Sequence, residues 1–142
     1  YCKQGTITLM PELSYFPAVP RLKPDEKKLV SWGYCYVMPG RDIEFEGLVR
    51  KIVMLYKARN IGQGLKTWMG GLGAESPMYF FTETAKSESD LFLTGEGINR
   101  LLEPDLGRLW KEMLGTIRRL ETKMGCARPD LSFLPLTVTE EK

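Results

Sequence analysis

Histidine is absent from the 142 residues, which removes the side chain that most often moves protons at neutral pH. Ser–His and Cys–His nucleophile pairs go with it, as do most transition-metal sites. Any catalysis would have to rest on lysine, tyrosine or carboxylates. The paired carboxylates Glu44 with Glu46 and Glu103 with Asp105 fall at expected helix starts. Negative charge is favoured there by exposed amides, so these pairs read as structural. Gly62, Gly64, Lys66 and Thr67 only partly match a phosphate-binding loop. The motif needs GxxxxGK[ST] between a strand and a helix; here Leu65 separates Gly64 from Lys66, and a helix comes first. No catalytic residue, cofactor or metal site is expected.

Charge carries the next signal. Between Glu46 and Glu75 no acidic residue occurs, yet Arg50, Lys51, Lys57, Arg59 and Lys66 do, in a chain of net charge +2. Such a local surplus must find its counter-ions elsewhere in the fold or outside it. On a helix with Phe45 turned inward, Glu46, Arg50, Lys51, Met54 and Lys57 share the outer face. The acids Glu75, Glu83, Glu88 and Asp90 of the following stretch are the internal candidates to balance it. A second basic set, Arg108, Lys111, Arg118, Arg119 and Lys123, lies opposite an apolar stripe further on. Together these ten residues are the candidate sites for phosphates or another polyanion.

Aromatic rings at period two form the third constellation. Trp32, Tyr34 and Tyr36 share one face of an expected strand. With Trp68 they are possible stacking residues for bases; the alternative, favoured because no RNP-type sequence is present, is that the row is simply the sheet's core-facing side. Met54 is the one methionine off the apolar faces, which suits an interface or an acidic membrane surface.

The elements that position these residues follow from spacing. Thr6–Met10 and Leu13–Val19 read as strand pieces broken by Pro11, and Leu29–Met38 as a strand stopped by Pro39 and Gly40. Phe45, Leu48, Val49, Ile52, Val53 and Tyr56 recur at helical steps to about Asn60, with Asp42 as cap. Leu65–Met69 reads as one further turn, Met78–Thr84 with Asp90–Thr94 as a hairpin, and Thr94–Leu102 as a short helix. Leu106, Leu109, Trp110, Met113, Leu114, Ile117, Leu120 and Met124 predict a long helix over Asp105–Met124, ended by Gly125. Leu131–Val138 is a possible edge strand, weakened by Pro135.

One globular domain over residues 1–142 fits this length, and 43% apolar residues suffice for a core. The expected class is α+β: a mostly antiparallel sheet with two main amphipathic helices on one face. Cys2, Cys35 and Cys126 are odd in number and form no CxxC pair, which points to the cytoplasm or another reducing intracellular compartment. The first residue is Tyr1, so the chain reads as a processed product, an excised domain or part of something longer. The function expected from all this is a non-enzymatic binding and assembly module that holds RNA, in the manner of small viral matrix or nucleocapsid-associated domains. Alternatives are a protein–protein or homo-oligomeric domain contacting an acidic membrane, or an unusual enzyme using lysine, tyrosine or carboxylate chemistry.

Overall fold

The computed structural model describes residues 4–131. Within them the elements run β1 (Ile7–Leu9), β2 (Leu29–Val37), α1 (Asp42–Ala58), β3 (Lys66–Gly70), β4 (Met78–Ala85), α2 (Glu88–Leu102), α3 (Asp105–Leu114) and β5 (Ile117–Cys126). The strands form one sheet in the order β1-β3-β4-β2-β5, and every pairing is antiparallel. From β2 onward this is the β-α-β-β-α-β order of a split βαβ, ferredoxin-like arrangement, with its second helix divided into α2 and α3. The α+β class and the antiparallel sheet are as the sequence indicates.

Two elements keep their expected place for the expected reasons. In β2 the period-two pattern holds, and Gly40 takes φ 82 in the turn after it, a conformation cheap only for glycine. In α1 the apolar stripe is buried at Phe45, Leu48, Val49, Ile52 and Tyr56. Asp42 stands in its first turn, but no side chain caps the helix.

Several expectations are corrected. Ser87 is the N-cap of α2, its hydroxyl accepting from the Asp90 amide at 3.2 Å, so the polar stretch after β4 opens a helix rather than a hairpin, and Asp90–Thr94 is helical. Leu65–Met69 is not a helical turn: β3 starts at Lys66, and Thr67 is fully buried, its hydroxyl donating to the Leu13 carbonyl at 2.6 Å. The segment expected to resume a strand at Leu13 instead follows a 3-10 turn, Pro11–Leu13, and contributes one bridge between Tyr15 and Leu65.

The long helix over Asp105–Met124 does not exist as such. It stops at Leu114, where the Thr116 amide and hydroxyl both donate to the Met113 carbonyl, at 2.9 and 2.7 Å. The rest becomes β5, paired along the whole length of β2. Pairing there satisfies the free backbone groups of β2, a gain that local helix periodicity cannot match. The possible edge strand at Leu131–Val138 lies outside the described residues apart from Leu131, and Cys2 lies outside them too.

The helices cover one face of the sheet. Phe45 sits 4.9 Å from the Tyr79 ring, and Leu102, Leu109 and Met113 join it over Cys35 and Val37. The other face of β2 carries Trp32, Tyr34 and Tyr36. The expectation that this row faces the core is therefore reversed: the small-residue side, Leu29, Ser31, Gly33, Cys35 and Val37, faces the helices. All three rings are half-buried on the open face.

Candidate functional site

Small residues on the inner face of the sheet leave room under the helices. Gly33 stands mid-strand with nothing within 4 Å of where a Cβ would be, and Gly95 of α2 is equally open. The result is a cavity of about 510 Å³ between the sheet and α1, α2 and α3, within the size range of small-molecule sites. Val49 and Ile52 of α1, Ile98 of α2, Leu106 and Met113 of α3 and Phe81 of β4 give it apolar walls.

Into this apolar setting β4 delivers a carboxyl group. Tyr79, Phe81 and Glu83 alternate with outward residues, so Glu83 lies on the helix-facing side, directly across from Ser31 in the register. Thr122 of β5 stands across from Gly33 and also lines the space. Glu83 is half-buried. Its carboxyl makes no hydrogen bond or ion pair among the described residues. Burial raises its proton affinity, and the charge of Arg21 opposes this only in part.

Tyr56 of α1 lines the same cavity, with its ring buried against Tyr15, centroids 5.7 Å apart. Its hydroxyl is pushed above the ordinary tyrosine range, by burial first and then by the negative charge of Glu83. Gln63 forms the end wall. Its amide nitrogen donates to the Thr84 carbonyl at 3.2 Å, and its oxygen accepts from Arg21 Nε at 3.1 Å. Arg21 in turn binds Asp90 at the start of α2, Nη1 donating to Oδ1 at 2.8 Å. This network ties the loop before β2, the loop after α1 and the first turn of α2 around one end of the cavity.

Chemically, the arrangement offers a proton-accepting carboxyl beside a phenol, in a half-buried, mostly apolar setting. Cys35 is not a nucleophile here, since burial lifts its thiol to about 12. Among the described residues no group of three or more histidine, cysteine, aspartate and glutamate side chains is placed to hold a metal.

The ten basic residues singled out from the sequence are distributed over several elements. Arg50, Lys51 and Lys57 project from α1, Arg59 follows it, and Lys66 begins β3, all exposed. Arg108 and Lys111 are on α3, whereas Arg118, Arg119 and Lys123 are on β5. Arg50 pairs with Glu46 and Arg108 with Asp105, each at 3.1 Å. Arg118 and Arg119 both reach Glu75, at 2.7 and 2.6 Å. The acids do not balance α1 as a group: Glu75 serves β5, Asp90 serves Arg21, and Glu83 turns inward. Trp32, Tyr34, Tyr36 and Trp68 do share a face, where the Trp68 ring stacks on Phe80 at 6.0 Å and Tyr34 leans on Phe80 at 5.2 Å. Gly62 to Thr67 run from helix to strand, the reverse of a phosphate-binding loop.

The chain matches no protein-family model and no curated protein sequence. Its fold, however, has solved counterparts. A NIPSNAP family protein of Agrobacterium tumefaciens superposes with a TM-score of 0.63 at 13% identity, covering 81% of this chain and 97% of the other. A candidate monooxygenase of Lactobacillus acidophilus gives 0.52 at 12% identity, over 72% and 45%. This chain thus spans less than half of that protein. A conserved protein of Methanosarcina mazei gives 0.50 at 14%, over 72% and 94%. Identities this low carry the fold alone.

These likenesses overturn the RNA-holding, matrix-like function expected from charge. The fold is shared with a candidate monooxygenase and a NIPSNAP family protein, neither of them described as viral or as binding nucleic acid. The basic residues misled because each was weighed by type, while several are taken up by neighbouring carboxylates. The expectation of a chain without enzymatic activity is corrected on the same ground: one fold neighbour is a candidate enzyme. Glu83 and Tyr56 were missed as site residues. A usable signal existed, because period two places Glu83 on the face of Tyr79 and Phe81, where an unpaired charge is costly.

Proposed function

We propose that the chain binds a small, largely apolar organic molecule in the cavity between helices and sheet, and that Glu83 exchanges a proton with it. One observation carries this: a carboxyl with no hydrogen bond or ion pair among the described residues lines a mostly apolar cavity. Partial burial of such a group costs stability, and perturbed carboxyls of this kind cluster at ligand sites. The shared fold of a candidate monooxygenase is compatible with an organic substrate at this place; its oxygen chemistry is not carried over. Titration with the neutral dye Nile red tests the binding: one saturable site is expected, and none would remove the proposal. Calorimetry in buffers of different ionisation enthalpy tests the proton, whose transfer should vanish in Glu83→Gln.

A second proposal concerns the open sheet face, which a second copy of the chain would cover. Half-buried Trp32, Tyr34, Tyr36 and Trp68 form an apolar surface there, and β5 adds both signs of charge through Arg119, Glu121 and Lys123. Aromatic centre and mixed charged rim suit a self-complementary twofold contact. Free thiols at buried Cys35 and exposed Cys126 suit a reducing compartment. Among the described residues no helix is long and apolar enough to cross a membrane.

A further inference from the structure

The cavity walls hold two carboxylates, Glu83 and Glu103, and no lysine, arginine or histidine. This contrasts with the exterior of a chain whose net charge is +2. Three aromatic side chains, Tyr56, Phe81 and Trp110, also line it. We infer that the cavity takes an organic amine: an apolar body among the rings, with its ammonium group on the Glu83 carboxylate. This rests on the cavity being a ligand site and names the class of ligand.

The physical grounds are those of charge in a partly enclosed, mostly apolar space. An anionic ligand would place a second negative charge beside Glu83 with no cationic side chain among the described lining residues to offset it. Among the described residues the cation acting on Glu83 is Arg21, and its nitrogens are already engaged by Asp90 and Gln63. A neutral ligand gains the apolar contacts but leaves the carboxylate unpaired. An amine meets both demands, because its ammonium protons bond the carboxylate whichever atom holds the shared proton. Aromatic faces add to the preference, since their quadrupoles attract cations. Glu103 is exposed at the end of α2, where its charge draws cations toward the opening. Among the described residues the charge that bears on Glu83 is thus that of Arg21, while Glu83 itself raises the neighbouring Tyr56 hydroxyl.

The experiment compares three ligands of one shape: naphthylmethylamine, naphthylmethanol and naphthoate, titrated calorimetrically at neutral pH. The amine should bind roughly tenfold or more tighter than the alcohol, and naphthoate should not bind measurably. In Glu83→Gln the amine should lose its advantage over the alcohol. Equal binding of amine and alcohol, tighter binding of naphthoate, or an amine preference that survives Glu83→Gln would each overturn the inference. Nile red separates the two levels of failure. If the dye binds and the amine has no advantage, only the ligand class is wrong; if neither dye nor naphthyl compounds bind, the ligand site itself is wrong. Unchanged thermal unfolding of Glu83→Gln, or a small gain, shows that the variant is folded.

Discussion

Arg21 grips Asp90 with both terminal nitrogens, at 2.8, 3.0 and 3.1 Å, and so fastens the loop before β2 to the first turn of α2. Each side chain is only about a quarter exposed, which gives the pair more effect than a fully solvated one. The Arg21 bond is the main cause that holds the Asp90 carboxyl below its ordinary value of 3.8, with the Lys86 amide second. A depressed carboxyl stabilises the fold above its unfolded value and loses that contribution as pH falls through the folded one. Asp90→Asn should therefore cost about 1 kcal/mol at neutral pH by denaturant titration. The deficit should fade in strong acid. A deficit independent of pH would show that shape, not charge, makes this contact matter.

Glu83 obeys the opposite sign. Burial raises its folded value above the ordinary 4.5, so the folded state binds a proton that the unfolded state has released. Its penalty is absent in acid below the unfolded value and grows as pH rises through the folded one. Glu83→Gln removes the charge at nearly constant shape, and no hydrogen bond to the carboxyl is lost among the described residues. The variant should melt higher than the parent at neutral pH, and the two should converge in acid. Lower melting at neutral pH would mean that the carboxylate is stabilised by a partner.

Gly33 keeps the cavity open. Its absent side chain meets nothing within 4 Å, so Gly33→Val should fill space rather than collide. Valine also suits the interior of a strand better than glycine, by roughly 0.5–1 kcal/mol. Stability should hold or rise while Nile red binding falls severalfold. Intact binding in a folded Gly33→Val protein would place the ligand elsewhere.

How far the sequence was legible depended on whether local pattern and tertiary demand agreed. For α1 they did, since one apolar stripe had a single buried solution; for β2 the alternation placed the strand but not its buried face, because Trp32, Tyr34 and Tyr36 are as apolar as the side that packs on the helices. For residues 105–126 they conflicted: Ile117, Leu120 and Met124 continue a helical stripe, but Leu120 and Met124 end up 46% and 53% exposed on β5. The edge of β2 needed a partner, and no periodicity reports that need. Ser87 and Asp90 are a helix-start pattern that turn-like composition masked. The basic residues were visible as types, but their pairing partners, such as Glu75 for Arg118 and Arg119, come from distant segments.

The boundary between α3 and β5 can be read by substitution. Leu109 is 6% exposed on α3 and Leu120 46% exposed on β5, although one helical stripe would treat them alike. Leu109→Ala should cost about 2–5 kcal/mol, whereas Leu120→Ala should cost less than about 1 kcal/mol. Equal, large losses would restore a continuous helix and discard β5.

Tyr34 tests the open sheet face. Its ring lies between Phe80, 5.2 Å away, and the Lys123 ammonium, 5.2 Å from its centroid, in the middle of the aromatic row. If a second copy covers this face, the protein should sediment as a dimer at concentrations on the order of 10 µM, as an interface of ordinary size allows. Tyr34→Lys would then set a like charge beside Lys123 on both copies at once, because a twofold contact repeats every substitution. The variant should sediment as a monomer with its circular dichroism preserved. Half-buried rings lose less on replacement than core rings, so the fold should survive the change. A parent that remains monomeric on the order of 100 µM, or a Tyr34→Lys protein that stays dimeric, would leave the aromatic row without a partner and remove self-association through this face.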